Sequence, residues 1–215
     1  MRIGKAASVL AGFLRPSTRL KSAERLYSYF LMAQPREEFE RYLELAPDLP
    51  DGALKNARVY ANRYRMLEVL PKGATVAEVG TYKGEFTRAI ALTSKPTKFH
   101  LIDIDFSPLG EIPIPVEKHQ GDSATILGTF PSAYFDWLYI DADHSYDSVC
   151  KDLRAAHRSL KPGGYLMCND YAIWCMGTPY GVAKAVNELV IDEGYAVEGL
   201  ALDRGCMFDM LIRKP

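Results

Sequence analysis

The sequence predicts an α/β fold, with a mostly parallel sheet of seven strands, helices on both faces and an N-terminal helical extension. Three observations carry this. From Thr75 onward, short apolar runs alternate with segments of helical periodicity. Up to about Leu70, apolar residues recur only at helical spacing, punctuated by Pro35, Pro47 and Pro50. The chain has 215 residues, enough for one sizeable domain with a real core. The expected division is therefore 1–70, a helical extension acting as lid or dimerisation element, and 71–215, a ligand-binding domain.

The elements follow in order. "SAERLYSYFLMA", "REEFERYLELA" and "NARVYANRYRMLEVL" read as helices of the extension. "TVAEVG" is the first strand and "GEFTRAIALTS" its helix. "KFHLIDID" is the second, followed by a Pro-rich link. "VEKHQGD" precedes the helix "SATILGTF". "FDWLYIDAD" leads into "SYDSVCKDLRAAHRSL", where Asp147 is an expected helix cap. "LKPGG" stops that helix and turns into "GGYLMCNDY". The helix "GVAKAVNELVIDEG" and two strand-like runs, "YAVEGLA" and "CMFDMLIR", complete the domain. Alternating β and α units imply a parallel sheet covered on both faces. Right-handed crossovers bring every βα turn to one edge. In such folds ligands bind beyond the carboxyl ends of the strands.

Composition narrows the function. A 48% hydrophobic and 25% charged content is ordinary for a soluble globular protein, and a net charge of −1 gives no general attraction to nucleic acid or acidic membranes. Cys150, Cys168, Cys175 and Cys206 form no CxxC pair and no zinc-like spacing, so free thiols in a reducing cytoplasm are expected. No apolar run reaches the length of a membrane span, and the basic N-terminus lacks a clear secretory pattern, so it is expected to be retained. Arg2, Lys5, Arg15, Arg19, Lys21 and Arg25 face only Glu24 in the first helical stretch. A solvated helix that lids the domain or pairs it into a homo-oligomer is the first expectation. A surface anchor or a grip on an anionic substrate is the second.

The strand ends hold the candidate site residues. In "AEVGTYKGEFT", Gly80 and Gly84 flank a tight loop opening a helix, whose N–H groups suit an anion. Tyr82 replaces the middle glycine of GxGxxG, which disfavours a pyrophosphate; an amino-acid carboxylate still fits. Glu78 adds an acid that could meet an ammonium group. Asp103 stands at about the ~20-residue offset of a ribose-binding acid, and its alternative, like that of Asp105, is a turn cap. Asp122 could accept from an exocyclic amine with Ser123 capping the next helix, and capping alone explains both as well. A nucleoside-sized acceptor pattern, a carboxylate-sized anion site and no pyrophosphate loop together describe S-adenosylmethionine.

The fourth predicted strand ends at Asp141 and the fifth at Asn169–Asp170. If the two strands are neighbours, these side chains converge, and three oxygen donors suit a hard cation such as Mg²⁺. Asp143 and His144 follow on the same rim, and either could take a hydroxyl proton. In the alternative, Asp141 only touches the cofactor. His100 and His157 read as structural, and His119 as ambiguous. Tyr171 and Trp174 either wall a substrate pocket or pack.

From Thr75 to Tyr171 the chain resembles class I S-adenosylmethionine-dependent methyltransferases, on "AEVGTYKGEFT", "LIDID", "GDS", "YIDADHSYDSVCKDL" and "LKPGGYLMCNDY". Within them it is most similar to small-molecule O-methyltransferases, including macrolide-sugar enzymes. The resemblance covers roughly half the chain. It implies a Rossmann-like methyltransferase fold and a cofactor site from Glu78, Gly80, Thr81, Tyr82, Gly84, Asp103, Ile104, Asp122, Ser123 and Asp141. It also implies Asp141, Asn169 and Asp170 as Mg²⁺ ligands and Asp143 as base, with His144 orienting or contacting a small-molecule hydroxyl acceptor. One position departs from that pattern: the sugar enzymes carry Asp-Asp, and catechol-type relatives Asp-Asn, where this chain has Asn169–Asp170. Three other classes remain open. They are a metal-independent N-methyltransferase, another nucleotide-binding enzyme such as an NAD-dependent one, and a non-catalytic binding protein that kept the fold.

Overall fold

The computed structural model describes residues 46–171, 174–175, 178–179, 181–202 and 207–215. The expectations for the basic N-terminal segment, its helices and any oligomer they build lie outside these residues. So do those for Cys206 and for the side chains of Trp174 and Cys175. One compact unit comprises Leu45–Cys175 and Pro179–Pro215; a second, Met1–Glu44 with Met176–Thr178, falls almost wholly outside the described residues.

Eight strands form one sheet: β1 (Arg58–Tyr60), β2 (Thr75–Val79), β3 (Lys98–Asp103), β4 (Glu117–Gln120), β5 (Phe135–Ile140), β6 (Leu160–Cys168), β7 (Ala196–Leu202) and β8 (Phe208–Arg213). Their order is β1-β7-β8-β6-β5-β2-β3-β4. All pairs are parallel except those of β8, which runs antiparallel to β6 and β7. Among the described residues the helices are α1 (Asp51–Leu54), α2 (Arg63–Leu67), α3 (Glu85–Ser94), α4 (Ser123–Thr129), α5 (Tyr146–Ser159) and α6 (Val182–Glu193).

The central strands are buried on both faces, which is why they read as continuous apolar runs. Side chains still alternate along them. Ala77, Val79 and Ile102 join one core with Leu127 of α4, Leu153 of α5 and Val186 of α6. Val76, Phe99 and Leu101 join the other, with Leu67 of α2 and Phe86 and Ile90 of α3. Burying these two sets of apolar side chains, at roughly 1.5–3 kcal/mol for each large one, is what holds the sheet between its helices.

The eighth strand corrects the seven expected. "NARVYANRYRMLEVL" is not one helix: Arg58–Tyr60 pairs parallel with β7, and the Asn62 side chain then caps α2 by accepting from the Arg65 N–H. Two local features decide this. Asn62 gives the backbone a cap that competes with continuing a helix. Gly199 on β7 leaves room for the strand, since a Cβ there would strike the Tyr60 ring and approach the Arg58 carbonyl oxygen at 2.8 Å. Two helix starts also differ from expectation. Asp122, not Ser123, caps α4 by accepting from the Thr125 N–H at 2.8 Å. Ser145 occupies the N-cap of α5, and Asp147 sits in its first turn, where its charge favours the positive end of the helix.

Candidate active site

The carboxyl ends of β2, β3, β4 and β5 surround a cavity of about 590 Å³, a volume suited to a nucleoside-sized ligand. Of the residues singled out in the sequence, Gly80, Tyr82, Asp103, Ile104, Asp122, Ser123, Asp141 and Asp143 line it. Ile104 and Tyr82 present apolar surface there, 77% and 66% exposed. Gly80 is obligatory. At φ +83° a Cβ would collide with the Asp141 carbonyl oxygen, because β2 and β5 close against each other where the Asp141 N–H donates to the Val79 carbonyl at 2.8 Å. Tyr82 and Asp170 hold left-handed backbone, at φ +43° and +50°, without being glycine. Such strain concentrates at functional positions.

Asp103 braces the loop after β2. Its Oδ2 accepts from the Thr81 N–H at 2.6 Å, the Thr81 hydroxyl at 2.9 Å and the Tyr82 N–H at 3.0 Å, and its Oδ1 from the Asp105 N–H at 3.0 Å. Desolvation opposes its ionisation, but these bonds outweigh it and hold the carboxyl below its ordinary value. A ribose diol would therefore share or displace the Thr81 contacts rather than meet a vacant carboxylate. Asp122 likewise carries two roles, since its carboxylate caps α4 and lines the cavity. Ser123 donates to Asp152 at 2.6 Å.

Three expected cofactor residues do not reach the cavity. Thr81 is buried against Asp103. Gly84 is buried beneath Leu109 and Ile112. Glu78 is 1% exposed and shares the opposite face of the sheet with Val76, toward α3. Burial, against an opposing contribution from the Thr87 hydroxyl, pushes its carboxyl up to about 8. The sequence placed Glu78 on the rim; strand alternation turns it inward.

The neighbouring β5 and β6 deliver the acidic cluster. Ile140 pairs with Cys168, and the Asn169 N–H donates to the Ile140 carbonyl at 3.0 Å, extending the ladder to the rim. Asn169 Nδ2 donates to Asp141 Oδ1 at 2.8 Å. His144 Nε2 lies 3.6 Å from both Asp141 Oδ1 and Asp170 Oδ2. Burial alone would lower the His144 pKa, but Asp141, Asp170 and Asp143 outweigh it and raise the imidazole above its ordinary value. Asp143 is different. It accepts from the Ser145 N–H at 2.6 Å, which chiefly holds its carboxyl below the ordinary range.

Behind this rim stands a network that the sequence reading missed. The Asn169 Oδ1 accepts from the buried Tyr139 hydroxyl at 3.1 Å and from Arg63 Nη1 at 3.3 Å. Arg63 Nη1 also donates to the Tyr139 oxygen at 3.1 Å, and Asp209 Oδ2 lies 3.4 Å from the same hydroxyl. Asp209 is buried, and its carboxyl is pushed up to about 7 by desolvation. The local signal for this network is faint: an Arg in a helical stretch, and a Tyr and an Asp inside apolar strands.

That network tests the expected Mg²⁺ triad. Arg63 can only donate, so it fixes the Asn169 amide with its oxygen turned inward and its nitrogen toward Asp141. Asn169 therefore offers no oxygen to a cation on the rim. Two carboxylates with an imidazole between them remain, and the expected oxygen triad does not fit this arrangement.

Residues 77–171 match the profile of a methyltransferase-domain family. The fold is that of solved S-adenosylmethionine-dependent methyltransferases. The O-methyltransferase TomG of Streptomyces achromogenes, solved with S-adenosylmethionine, is 16% identical over 88% of this chain and 95% of its own, with a TM-score of 0.53. A methyltransferase from Aquifex aeolicus is 18% identical over 82% and 98%, also at 0.53. An uncharacterised protein of Acanthamoeba polyphaga mimivirus, R132, is 28% identical over 137 residues. That match takes in 55% of this chain and 60% of the viral protein, so the chain spans less than two thirds of that relative. The methyltransferase-domain match begins within β2 and ends just beyond β6. It encloses every cavity-lining residue and the Asp141, His144 and Asp170 cluster, but not Arg63 or Asp209.

Proposed function

We propose that the chain transfers a methyl group from S-adenosylmethionine to a hydroxyl of a small molecule, sugar-like or natural-product-like, with His144 as the general base. The observation that carries this is the imidazole held between Asp141, which lines the cavity, and Asp170. Methyl transfer is an in-line displacement: the acceptor oxygen bonds to the methyl carbon while the carbon–sulfur bond breaks and the sulfonium leaves as a neutral thioether. The hydroxyl proton passes to His144, and the two carboxylates stabilise the imidazolium that forms. Cofactor and acceptor are brought together in order, which supplies much of the rate. In the bound state the adenosine covers Ile104, Asp103 faces the ribose, and the amino-acid end lies over Gly80.

Asp143, which the resemblance favours as base, serves the turn into α5 instead: a carboxyl already bonded to the Ser145 N–H is a poor proton acceptor. No metal step is required. Purified protein titrated with S-adenosylmethionine, with Mg²⁺ and again with a chelator, is expected to bind in both conditions. Turnover on hydroxyl acceptors is expected to be equal in both. Loss of turnover with the chelator would overturn the metal-free base, methylation confined to amines would overturn the hydroxyl acceptor, and absence of binding would overturn the whole reading.

A further inference from the structure

A cluster outside the cofactor cavity carries a separate chemistry. Strand β4 is the sheet edge, and Glu117 and His119, two residues apart on it, project to one face. The register sets His100 of β3 opposite Glu117. His100 Nδ1 lies 3.1 Å from His119 Nε2 and 3.5 Å from Glu117 Oε2, and the three ligand atoms all fall within 4.8 Å of one another. The His100 ring is buried and packs edge-on to Phe130, Tyr134 and Phe135, which fixes its plane. Its Nε2 stands 3.2 Å from the Tyr134 hydroxyl. With the ring proton on Nε2 donated to that oxygen, the Nδ1 lone pair faces Glu117 and His119. Glu117 is exposed and His119 half-buried, so an ion reaches the cluster from solvent.

We propose that His100, Glu117 and His119 form a three-ligand site for a divalent transition-metal ion of the zinc class. Ligand bonds of roughly 2.0–2.1 Å in a tetrahedron set donors about 3.3 Å apart, and the two closest spacings here bracket that value. Two imidazoles and one carboxylate suit zinc rather than magnesium, and water fills the fourth position. The Tyr134 hydroxyl is the outer partner that orients the first ligand. In the ion's absence the His119 Nε2–H donates to His100 Nδ1, and binding moves that proton to His119 Nδ1. His100 lies three residues, about 10 Å, before Asp103 on β3. The ion therefore ties the edge strand to β3, whose end and that of β4 floor the cavity, and takes no part in methyl transfer.

The test uses the whole chain, stripped with a chelator and titrated with Co²⁺ as a spectroscopic probe, then with Zn²⁺. One equivalent of Co²⁺ is expected to give the visible absorption of a four-coordinate site, which Zn²⁺ abolishes by displacement. His119→Asn and Glu117→Gln leave the buried core intact, and circular dichroism checks that they fold. Each is expected to weaken binding at least about ten-fold, since loss of even an outer partner costs that much. Asp170→Asn is expected to bind as the wild type does. No four-coordinate band in the wild type, unchanged affinity in either ligand variant, or loss of the band in Asp170→Asn would each overturn the site.

Discussion

Two single residues decide what the cavity can do. His144 gathers the fields of three carboxylates, so its proton leaves only above the ordinary imidazole range. A base in that state gives a rate that rises with pH through the raised value and then levels. His144→Asn is expected to lower kcat about 10²–10⁴-fold while leaving calorimetric cofactor affinity near wild type. Asp143→Asn is expected to cost far less. Asp170→Asn removes one carboxylate that favours the imidazolium, so the rising limb of its pH–kcat profile is expected to move to lower pH. An unmoved limb would remove His144 from the role of base. Gly80 acts through space rather than charge. In Gly80→Ala the new methyl meets the Asp141 carbonyl and the backbone is strained at positive φ. About 1–3 kcal/mol of stability is expected to go, read by urea denaturation, with a large loss of cofactor affinity.

Elements act through how closely their backbones meet. Strand β1 is short, its burial is slight, and it pairs with β7 over three residues only. It adheres because Gly199 lets Tyr60 lie flat across the neighbouring strand. Gly199→Val is expected to peel β1 from the sheet, and hydrogen exchange would show lost amide protection at residues 58–60 with protection of β5 and β6 unchanged. Just after β1 comes Arg63, whose guanidinium fixes the Asn169 amide. Displacing that segment would therefore reach Asp141 through its hydrogen bond to Asn169. Gly181 shows the same principle at the start of α6. A Cβ there would strike the Tyr146 backbone, and its N–H donates to the His144 carbonyl at 2.8 Å. That contact sets the backbone of the residue that carries the base.

Across the whole molecule, two buried acids couple stability to pH. Glu78 is pushed from 4.5 up to about 8 and Asp209 from 3.8 up to about 7, both chiefly by desolvation. An acid with a raised folded-state pKa contributes fully below its unfolded value, and that contribution is lost as pH rises through the folded value. The wild type is therefore expected to lose stability between about pH 5 and 8. Glu78→Gln should match it at pH 5 and exceed it at pH 8 by about 3 kcal/mol, one pKa unit being about 1.4 kcal/mol. Equal pH dependence in the two proteins would show that Glu78 is not the group responsible. Cys168 gives no such coupling near neutral pH, because burial pushes its thiol up to about 12.

The sequence by itself determined the layered α/β architecture and which residues gather at the strand ends around the cavity. Each of these is written in a local pattern. Runs such as "FDWLYI" report burial on both faces, and the residue after such a run has to stand at a strand end. Gly80, Asp103, Asp122, Asp141 and His144 were legible for that reason. Only the tertiary structure decided which way each group points and what already occupies it. Strand alternation and the packing of α3 turned Glu78 into the core, and four hydrogen bonds from Thr81, Tyr82 and Asp105 claimed Asp103. Arg63, more than a hundred residues away in sequence, fixed the Asn169 amide. The seventh and eighth strands created the pairing edge that made Arg58–Tyr60 a strand. Orientation and occupancy depend on partners distant in sequence, and a local pattern carries no record of them.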